Sequence, residues 1–326
     1  MGKAAGVSVV IPNYNGIAYI EACLEALYRD MSVKGSPRTE VIVVDNASDD
    51  GSRELVAERF PDVKVVALDQ NYGFAAAVNA GIRSSREPFV ILLNNDTEVL
   101  PGFTKALYRA AVKDKKAFAV QAKLLSMKDP SKIDDAGDLY CALGWAFARG
   151  KDGPARLYEE KCRIFAACAG AAIYRKKLFD TVGYFDEAHF AYLEDIDICW
   201  RARLKGYRSL YEPAAKVLHA GSGASGSRHN EFKVRLSSRN SVWLAYKNMP
   251  AAQLIINAPF LFAGFIIKYI FFLGKGLGGV YARGVLEGIR TCRGRDRVLS
   301  GLSVTPVCLE IQAELFVNVF KRFKVS

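Results

Sequence analysis

Phe89-Val90-Ile91-Leu92-Leu93-Asn94-Asn95-Asp96-Thr97 runs five apolar residues straight into four short polar ones. An apolar run without alternation is what a β-strand covered on both faces requires. Polar side chains at the carboxyl end of such a strand stand where open α/β sheets bind ligands. Asp96 is therefore the residue expected to meet a metal ion.

Upstream, Val7-Ser8-Val9-Val10-Ile11 reads as a first strand ended by the turn Pro12-Asn13-Tyr14-Asn15-Gly16. Ile20, Leu24, Leu27 and Met31 then recur at helical spacing. Glu40-Val41-Ile42-Val43-Val44 makes a second strand and delivers Asp45-Asn46-Ala47-Ser48-Asp49-Asp50-Gly51-Ser52 to its carboxyl end. Ser48, Asp49 and Ser52 are each suited to cap the helix that follows. A third strand covers 63–67, and Asn71-Tyr72-Gly73-Phe74 opens an alanine-rich helix reaching about Ile82. Alternating strands and helices with short connections predict an α/β fold, a doubly wound and mostly parallel sheet flanked by helices, whose polar loops converge on one edge. A dinucleotide-binding domain shares this plan, but the first turn has no Gly-x-Gly-x-x-Gly, which counts against an oxidoreductase.

Downstream, Phe103, Leu107 and Ala111 predict another helix, and 117–125 a further strand. From 126 to about 162 the periodicity weakens and Gly137, Gly144, Gly150 and Gly153 punctuate a polar stretch, so a long loop of lid-like character is expected. The small residues of 165–174 permit close approach of a ligand to the backbone. Ala191-Tyr192-Leu193-Glu194-Asp195-Ile196-Asp197-Ile198-Cys199-Trp200-Arg201 sets three carboxylates at a helix start, with Asp197 and Arg201 spaced to pair on the helix surface. Lys216-Val217-Leu218 runs into His219 and the glycine-serine stretch 221–226, either a linker or a donor-phosphate lid. His189 and His229 read as surface or loop residues.

A chain of 326 residues with 51% hydrophobic content supports a sizeable core. The net charge of +11 calls for an anionic partner, phosphate groups, nucleic acid or an acidic membrane, and does not choose among them. Seven scattered cysteines without a Cys-x-x-Cys pair indicate neither a disulfide framework nor a zinc site, so a reducing, cytoplasmic setting is expected. The apolar run 7–11 is too short for a signal peptide and breaks at Pro12. The tail differs: 251–273 is almost wholly apolar and long enough for a bilayer, although Asn257, Pro259 and Lys268 make it a poor clean span. From Lys268 onward ten Lys or Arg stand against four acids, which fits in-plane attachment to an anionic membrane surface. Packing on the catalytic part or oligomerisation are the other uses open to this tail, and the oligomeric state is left open. The division expected is a catalytic domain over 1–250 and a helical, membrane-associating extension over 251–326.

Five motifs in order, Val9-Val10-Ile11-Pro12-Asn13-Tyr14-Asn15, Val43-Val44-Asp45-Asn46-Ala47-Ser48-Asp49-Asp50-Gly51-Ser52, Asn71-Tyr72-Gly73-Phe74-Ala75, Leu92-Leu93-Asn94-Asn95-Asp96 and Tyr192-Leu193-Glu194-Asp195-Ile196-Asp197, closely resemble those of the family 2 glycosyltransferases of the GT-A fold. The likeness covers roughly residues 7–250 and is greatest to the bacterial rhamnosyltransferase-like members that build cell-surface polysaccharides. It implies an inverting transfer of rhamnose or another hexose from a UDP- or dTDP-sugar to a hydroxyl of a lipid-linked or cell-surface glycan, on the cytoplasmic face of the membrane and with no nucleic-acid partner.

The resemblance also implies roles. Asp96 holds Mn2+ or Mg2+ against the charge of the leaving diphosphate. His219 aligns with a late histidine that ligates metal in some relatives, and its imidazole shifts the preference toward Mn2+. Asp45 accepts the N3–H of the base. Pro12, Asn13, Asn15, Asn46 and Asn95 belong to the nucleotide-sugar cradle, joined more weakly by Asn71 and Asn79. Asn94 stands where the family's Asp-x-Asp-type motif has its first acid, a departure that leaves it a hydrogen bond to ribose. Asp195 is the general base, kept ionised by the helix dipole, with Glu194 as its nearest rival. A nucleotidyltransferase would want a Gly-rich basic loop after its first strand, and none is present. A non-catalytic nucleotide-sugar-binding or membrane scaffold protein is the remaining alternative.

Overall fold

The computed structural model describes residues 6–221, 229–299 and 305–324. Of the glycine-serine stretch 221–226, read as a linker or lid, residues 222–226 lie outside the described residues. Strands β1 (Val7–Asn13), β2 (Thr39–Asp45), β3 (Lys64–Ala67) and β4 (Phe89–Leu93) lie parallel in the order β3-β2-β1-β4. Helices α1 (Ile20–Met31), α2 (Ser52–Arg59) and α3 (Phe74–Ser84) connect them. All five residues of β4 are buried, as its unbroken apolar run requires. Alternate residues serve two cores: Val9, Ile11, Val43 and Ile91 pack with Leu24, Leu27 and Phe103 on one face, while Val10, Val44, Val90 and Leu92 pack with Val78 and Ile82 on the other.

After β4 the sheet becomes mixed. The chain continues through β5 (Thr97–Val99), α4 (Phe103–Lys113), β6 (Ala117–Ser126), β7 (Ile133–Asp135), β8 (Asp138–Tyr140), β9 (Ala146–Ala148), β10 (Cys162–Ile164), β11 (Ala171–Arg175), α5 (Phe179–Val182), α6 (Glu194–Leu204) and β12 (Arg208–His219). β11 inserts antiparallel between β4 and β6, and β12 runs parallel to β6 on its far side. β5 pairs antiparallel with the end of β12, placing His219 opposite Thr97. Four helices close the chain: α7 (Glu231–Asn248), α8 (Ala251–Leu273), α9 (Gly278–Thr291) and α10 (Pro306–Lys324).

Several local expectations change. β1 extends through Pro12 and Asn13 before the turn begins. Gly51, at φ 83°, occupies the cap position of α2 in place of Ser48, Asp49 or Ser52, and the Ser52 N–H at the start of the helix donates to Asp50 Oδ1 at 3.0 Å. The stretch 126–162 is no open lid: Ile133, Leu139, Tyr140 and Trp145 are buried, and its three-residue strands are too short for periodicity to register. The two strand-like pieces before His219 are one strand, bulged between Glu212 and Lys216 around Pro213. His189, read as a surface or loop residue, lies in the short turn Glu187–His189 ahead of α6 and is fully buried.

The apolar tail is half committed to protein. α8 buries Gln253, Asn257, Leu261, Gly264 and Phe272, while Ile255, Phe262 and Ile270 on its outer side are 61–70% exposed. It is the one helix among the described residues that is long and apolar enough to cross a membrane.

Gly81 shows how tightly α3 lies on the sheet, since a Cβ there would sit 2.2 Å from Val10 Cγ1. Helix propensity alone favours alanine over glycine by roughly 1 kcal/mol. The close contact outweighs that gain, so Gly81→Ala is expected to lower unfolding stability by about 1–3 kcal/mol in denaturant titration. A rise in stability would mean that α3 can retreat from β1.

Candidate active site

Parallel register sets Asn13 beside Asp45 at the carboxyl ends of β1 and β2. The Asn13 amide donates to Asp45 Oδ1 at 3.3 Å and to Ser52 Oγ at 2.8 Å, while its oxygen accepts from Asn95 Nδ2 at 2.8 Å. Asp45 Oδ2 accepts the Ser48 N–H. Asp45 is thereby fully enclosed, and Asn13 ties it to the loop after β4. Asn15, at φ 49°, shapes the turn: its N–H donates to Ser48 Oγ and its side-chain oxygen accepts from Asp49 N–H. Asn46 holds the 71–73 loop, donating to Asn71 Oδ1 at 2.9 Å and accepting from Tyr72 N–H at 3.0 Å. Half-buried Pro12 lies in β1 just ahead of Asn13.

Asn79 does not join this group. It is fully buried in α3, where its amide donates to Phe185 O and Glu187 Oε1 and its oxygen accepts from Phe185 N–H. With every bond directed at the 185–187 loop it is a clamp, and the assignment to the nucleotide cradle is corrected.

The pairing of β5 with β12 brings His219 to Asp96. Nε2 of His219 lies 3.3 Å from Asp96 Oδ1, and Nδ1 lies 2.8 Å from Asp134 Oδ2. Burial opposes charge on the imidazole, yet hydrogen bonds to Asp134 and Asp96 outweigh it and push the group up to about 10. A carboxylate behind one ring nitrogen, with the other aimed at a carboxylate oxygen, is the arrangement that fixes a metal-ligating histidine. The nitrogen and oxygen donors fit a cation that takes further ligands from substrate phosphates. Burial lowers the ammonium group of Lys233 in α7, and the charge of Asp96 acts against that shift.

Asp135, Asp138 and Cys168 form a second cluster, their donor atoms within 4.8 Å of one another. Burial raises all three groups. This cluster adjoins Asp195, which shares a hydrogen bond with Asp138 and accepts the backbone N–H groups of Ile196 and Ala169. The next residue, Gly170, accepts Asn94 N–H at 2.9 Å, so Asp195 lies near the end of β4. Burial pushes Asp195 up to about 6 and outweighs those hydrogen bonds. The expectation that the helix dipole keeps it readily ionised is thus corrected. Asp138 is raised as well, by burial and then by Asp135 and Asp195. Glu194 is buried, its Oε2 without a hydrogen-bond partner among the described residues, and is raised well above the usual range by burial and by Asp195.

Asp197 does pair with Arg201, but in the interior. Both are buried, with Arg201 Nε 2.9 Å from Asp197 Oδ2, and Lys247 and Asn248 of α7 complete the contacts. Beside them, Asn240 Nδ2 donates to the carbonyls of His189, Ala191 and Tyr192 at 2.8–3.0 Å. Phe190, Tyr192 and Leu193 all have φ between 63° and 72°. Asp134, Asp138, Lys233 and Asn240 were not singled out from the sequence. The signal that was available is Asp134-Asp135-Ala136-Gly137-Asp138, three acids around a glycine turn.

Residues 8–183, more than half of the chain, match the profile of Glycosyl transferase family 2. N-acetylglucosaminyl-diphospho-decaprenol L-rhamnosyltransferase of Mycobacterium tuberculosis is 28% identical over 254 residues, covering 68% of this chain and 81% of its own. Mannosyltransferase PcManGT of Pyrobaculum calidifontis, in complex with GDP-Man and Mn2+, has a TM-score of 0.54 at 17% identity, covering 99% of this chain and 85% of its own. Staphylococcus aureus TarS in complex with UDP-GlcNAc has a TM-score of 0.51 at 19% identity, over 78% of this chain and 70% of its own. At such identity the two structures speak for the fold alone, which is GT-A. With its five motifs, its strand-end loops and the profile match together, the chain belongs to glycosyltransferase family 2.

Proposed function

We propose that this chain catalyses an inverting, metal-dependent transfer of a hexosyl unit, rhamnose being the foremost candidate, from UDP or dTDP to a hydroxyl of a lipid-linked glycan on the cytoplasmic membrane face. The observation that carries this reading is that one end of β4 adjoins two differently tuned groups, the Asp96–His219–Asp134 chain and the Asp138–Asp195 pair. The name of the Mycobacterium tuberculosis relative supports the sugar and the lipid-linked acceptor. The Mn2+ in the mannosyltransferase structure supports the metal.

In this reading Asp195 accepts the proton of the acceptor hydroxyl as its oxygen bonds to the anomeric carbon. The bond to the nucleoside diphosphate breaks on the opposite face, and the configuration inverts. Protonated Asp138 donates to Asp195 and fixes which oxygen is free. Asp96 and His219 hold a divalent cation, whose chemistry is to offset charge on the departing diphosphate. Lys233 adds positive charge at the same place. Asp45, Asn13, Asn15, Asn46, Asn71, Asn94 and Asn95 wall the nucleotide pocket. Since Asp45 is enclosed, a base reaches it only when a neighbouring turn yields, and the exposed rings of Tyr14 and Tyr72 offer faces for stacking.

Asp195→Asn is expected to lower the transfer rate by roughly a hundredfold to ten-thousandfold while UDP affinity stays near that of the unchanged protein. Transfer by the unchanged protein should fall as pH drops through about 6, because Asp195 then takes up the proton it must accept. Asp135, Asp138 and Glu194 face the same region and broaden that limb into a coupled titration. Undiminished transfer by the variant would remove Asp195 from the role.

For the metal, Asp134→Asn leaves both proposed ligands in place but loosens His219. It should weaken Mn2+ binding, followed by electron paramagnetic resonance in the presence of UDP, by about 10–100-fold. Unchanged Mn2+ affinity in both this variant and Asp96→Asn would place the cation elsewhere.

We read residues 251–326 as an extension that attaches the catalytic part to the membrane through the outer side of α8. Leu261, Ile311 and Leu315 belong to the main core, so truncation would expose it and point substitutions are the cleaner test. Phe262→Asp with Ile270→Asp should reduce cosedimentation with phosphatidylglycerol vesicles by about tenfold or more, each change removing a large apolar contact. Equal sedimentation would exclude this face.

A further inference from the structure

Between α7 and α9 lies an open groove with a cavity volume of about 910 Å³, distinct from the strand ends that form the donor site. Its walls carry Phe190, Phe232, Arg235, Arg239, Arg283 and Arg290. Glu287 sits between the helices and neutralises the α7 side, 3.0 Å from Arg235 and 3.4 Å from Arg239. Arg283 and Arg290 are exposed on α9, and among the described residues neither has an ion-pair partner. They are seven residues apart on one helix face, about 10 Å along the axis, with Leu286 between them 49% exposed. The groove therefore presents arginine charge above an apolar wall.

Its position gives that surface a use. Phe190 and Tyr192 stack edge-on against Phe232, and Arg239 donates to the carbonyls of Ala188 and His189. One wall of the groove is thus the loop that ends in Asp195. At the other end Val280 adjoins Phe272 and Tyr281, whose rings stack, and Phe271 next to them lies on the exposed side of α8. Val280, Phe272 and Tyr281 thus form a small packed cluster between the groove and α8.

We infer that this groove receives the polyprenyl diphosphate of a lipid-linked acceptor, an inference that rests on the reading of a lipid-linked glycan given above. Guanidinium groups bind phosphate oxygens in paired, planar hydrogen bonds, and two arginines without an ion-pair partner among the described residues offer two such contacts to a diphosphate. The isoprenoid chain lies along the exposed Leu286 and the groove-lining Val280. The sugar on the diphosphate then extends past Phe190 toward Asp195, with its hydroxyl facing the base.

The test uses the full chain with its donor site saturated by UDP and Mn2+, so that added diphosphate cannot bind there. Farnesyl diphosphate, farnesol and inorganic diphosphate are titrated by calorimetry. The groove predicts that farnesyl diphosphate binds at least about tenfold more tightly than either of the others, because only it engages both arginines and the apolar wall. Arg283→Ala with Arg290→Ala should lose that tenfold, and Leu286→Asp should bring farnesyl diphosphate down to the level of inorganic diphosphate. UDP binding by each variant reports that it is folded. Equal affinity of unchanged protein and arginine variant for farnesyl diphosphate would overturn the inference. So would a variant that loses only phosphatidylglycerol vesicle binding, which would make these arginines a headgroup contact. Absence of UDP binding by the unchanged protein would instead strike the glycosyltransfer reading itself.

Discussion

Asp197 lies fully out of water between Arg201 Nε at 2.9 Å and Lys247 Nζ at 3.0 Å, with the Asn248 amide 2.8 Å from its other oxygen. Burying a lone carboxylate costs several kcal/mol, and here the two cations and the amide outweigh that penalty and hold the group below the usual carboxylate range. The contact fastens α6 to α7. Lys247 also reaches Asp186 at 2.8 Å, which draws the preceding loop into the same bond network. Phe190, Tyr192 and Leu193 adopt left-handed backbone that costs on the order of 1–3 kcal/mol each. The donations of Asn240 to this loop offset that strain. Asp195, two residues before Asp197, is held in place by this arrangement, so the geometry of the candidate base depends on α7 as much as on the sheet.

The three acids of α6 show that position on a helix does not by itself set an ionisation state. Glu194 and Asp195 stand at the positive end of the helix dipole, which favours their charged forms by at most about 2 kcal/mol. Burial acts the other way and wins at both. Asp197 is equally buried but faces two cations, and its shift reverses. Separation of neighbouring acids in this way is a recurrent means of assigning one carboxyl to proton transfer and another to structure. At the end of β12 the same competition gives His219 its raised value, because two carboxylates face one imidazole.

The parallel half of the sheet was legible because its strands are apolar-rich runs, unbroken in β4, and a run of that kind ending in polar residues has one place to put them. Asn13, Asp45, Asn95 and Asp96 accordingly meet at the strand ends. Asn79 was misread because helix α3 turns it away from that edge, toward 185–187, and no spacing in the sequence records the loop's position. The buried fold of 126–162 escaped notice because three-residue strands give no period to detect. Asp134 and Asp138 lie within that stretch, so their partnerships with His219 and Asp195 were hidden with it. The roles of Asn240 and Lys247 depend on α7 crossing α6, a contact that sequence patterning along either helix does not encode.

The extension cannot be treated as an independent anchor. A Cβ at Gly264 would lie 2.0 Å from the Leu143 carbonyl, and Trp145 Nε1 donates to Gly264 O at 3.0 Å, so α8 lies directly on the 141–145 loop. Asn257 and Gln312 exchange hydrogen bonds between α8 and α10, and Asn318 of α10 donates to the Tyr140 carbonyl. Tyr140 in turn packs on Trp200 of α6, the helix that begins with Glu194 and Asp195. Packed contacts therefore run from the outer apolar side of α8 to the helix of the candidate base. If that side meets a bilayer, the orientation of the active site toward the membrane follows from packing rather than from a flexible tether. In the proposed reading, donor and acceptor approach from different directions, one at the carboxyl ends of the parallel strands and the other along the groove between α7 and α9, toward the loop that Asn240 holds.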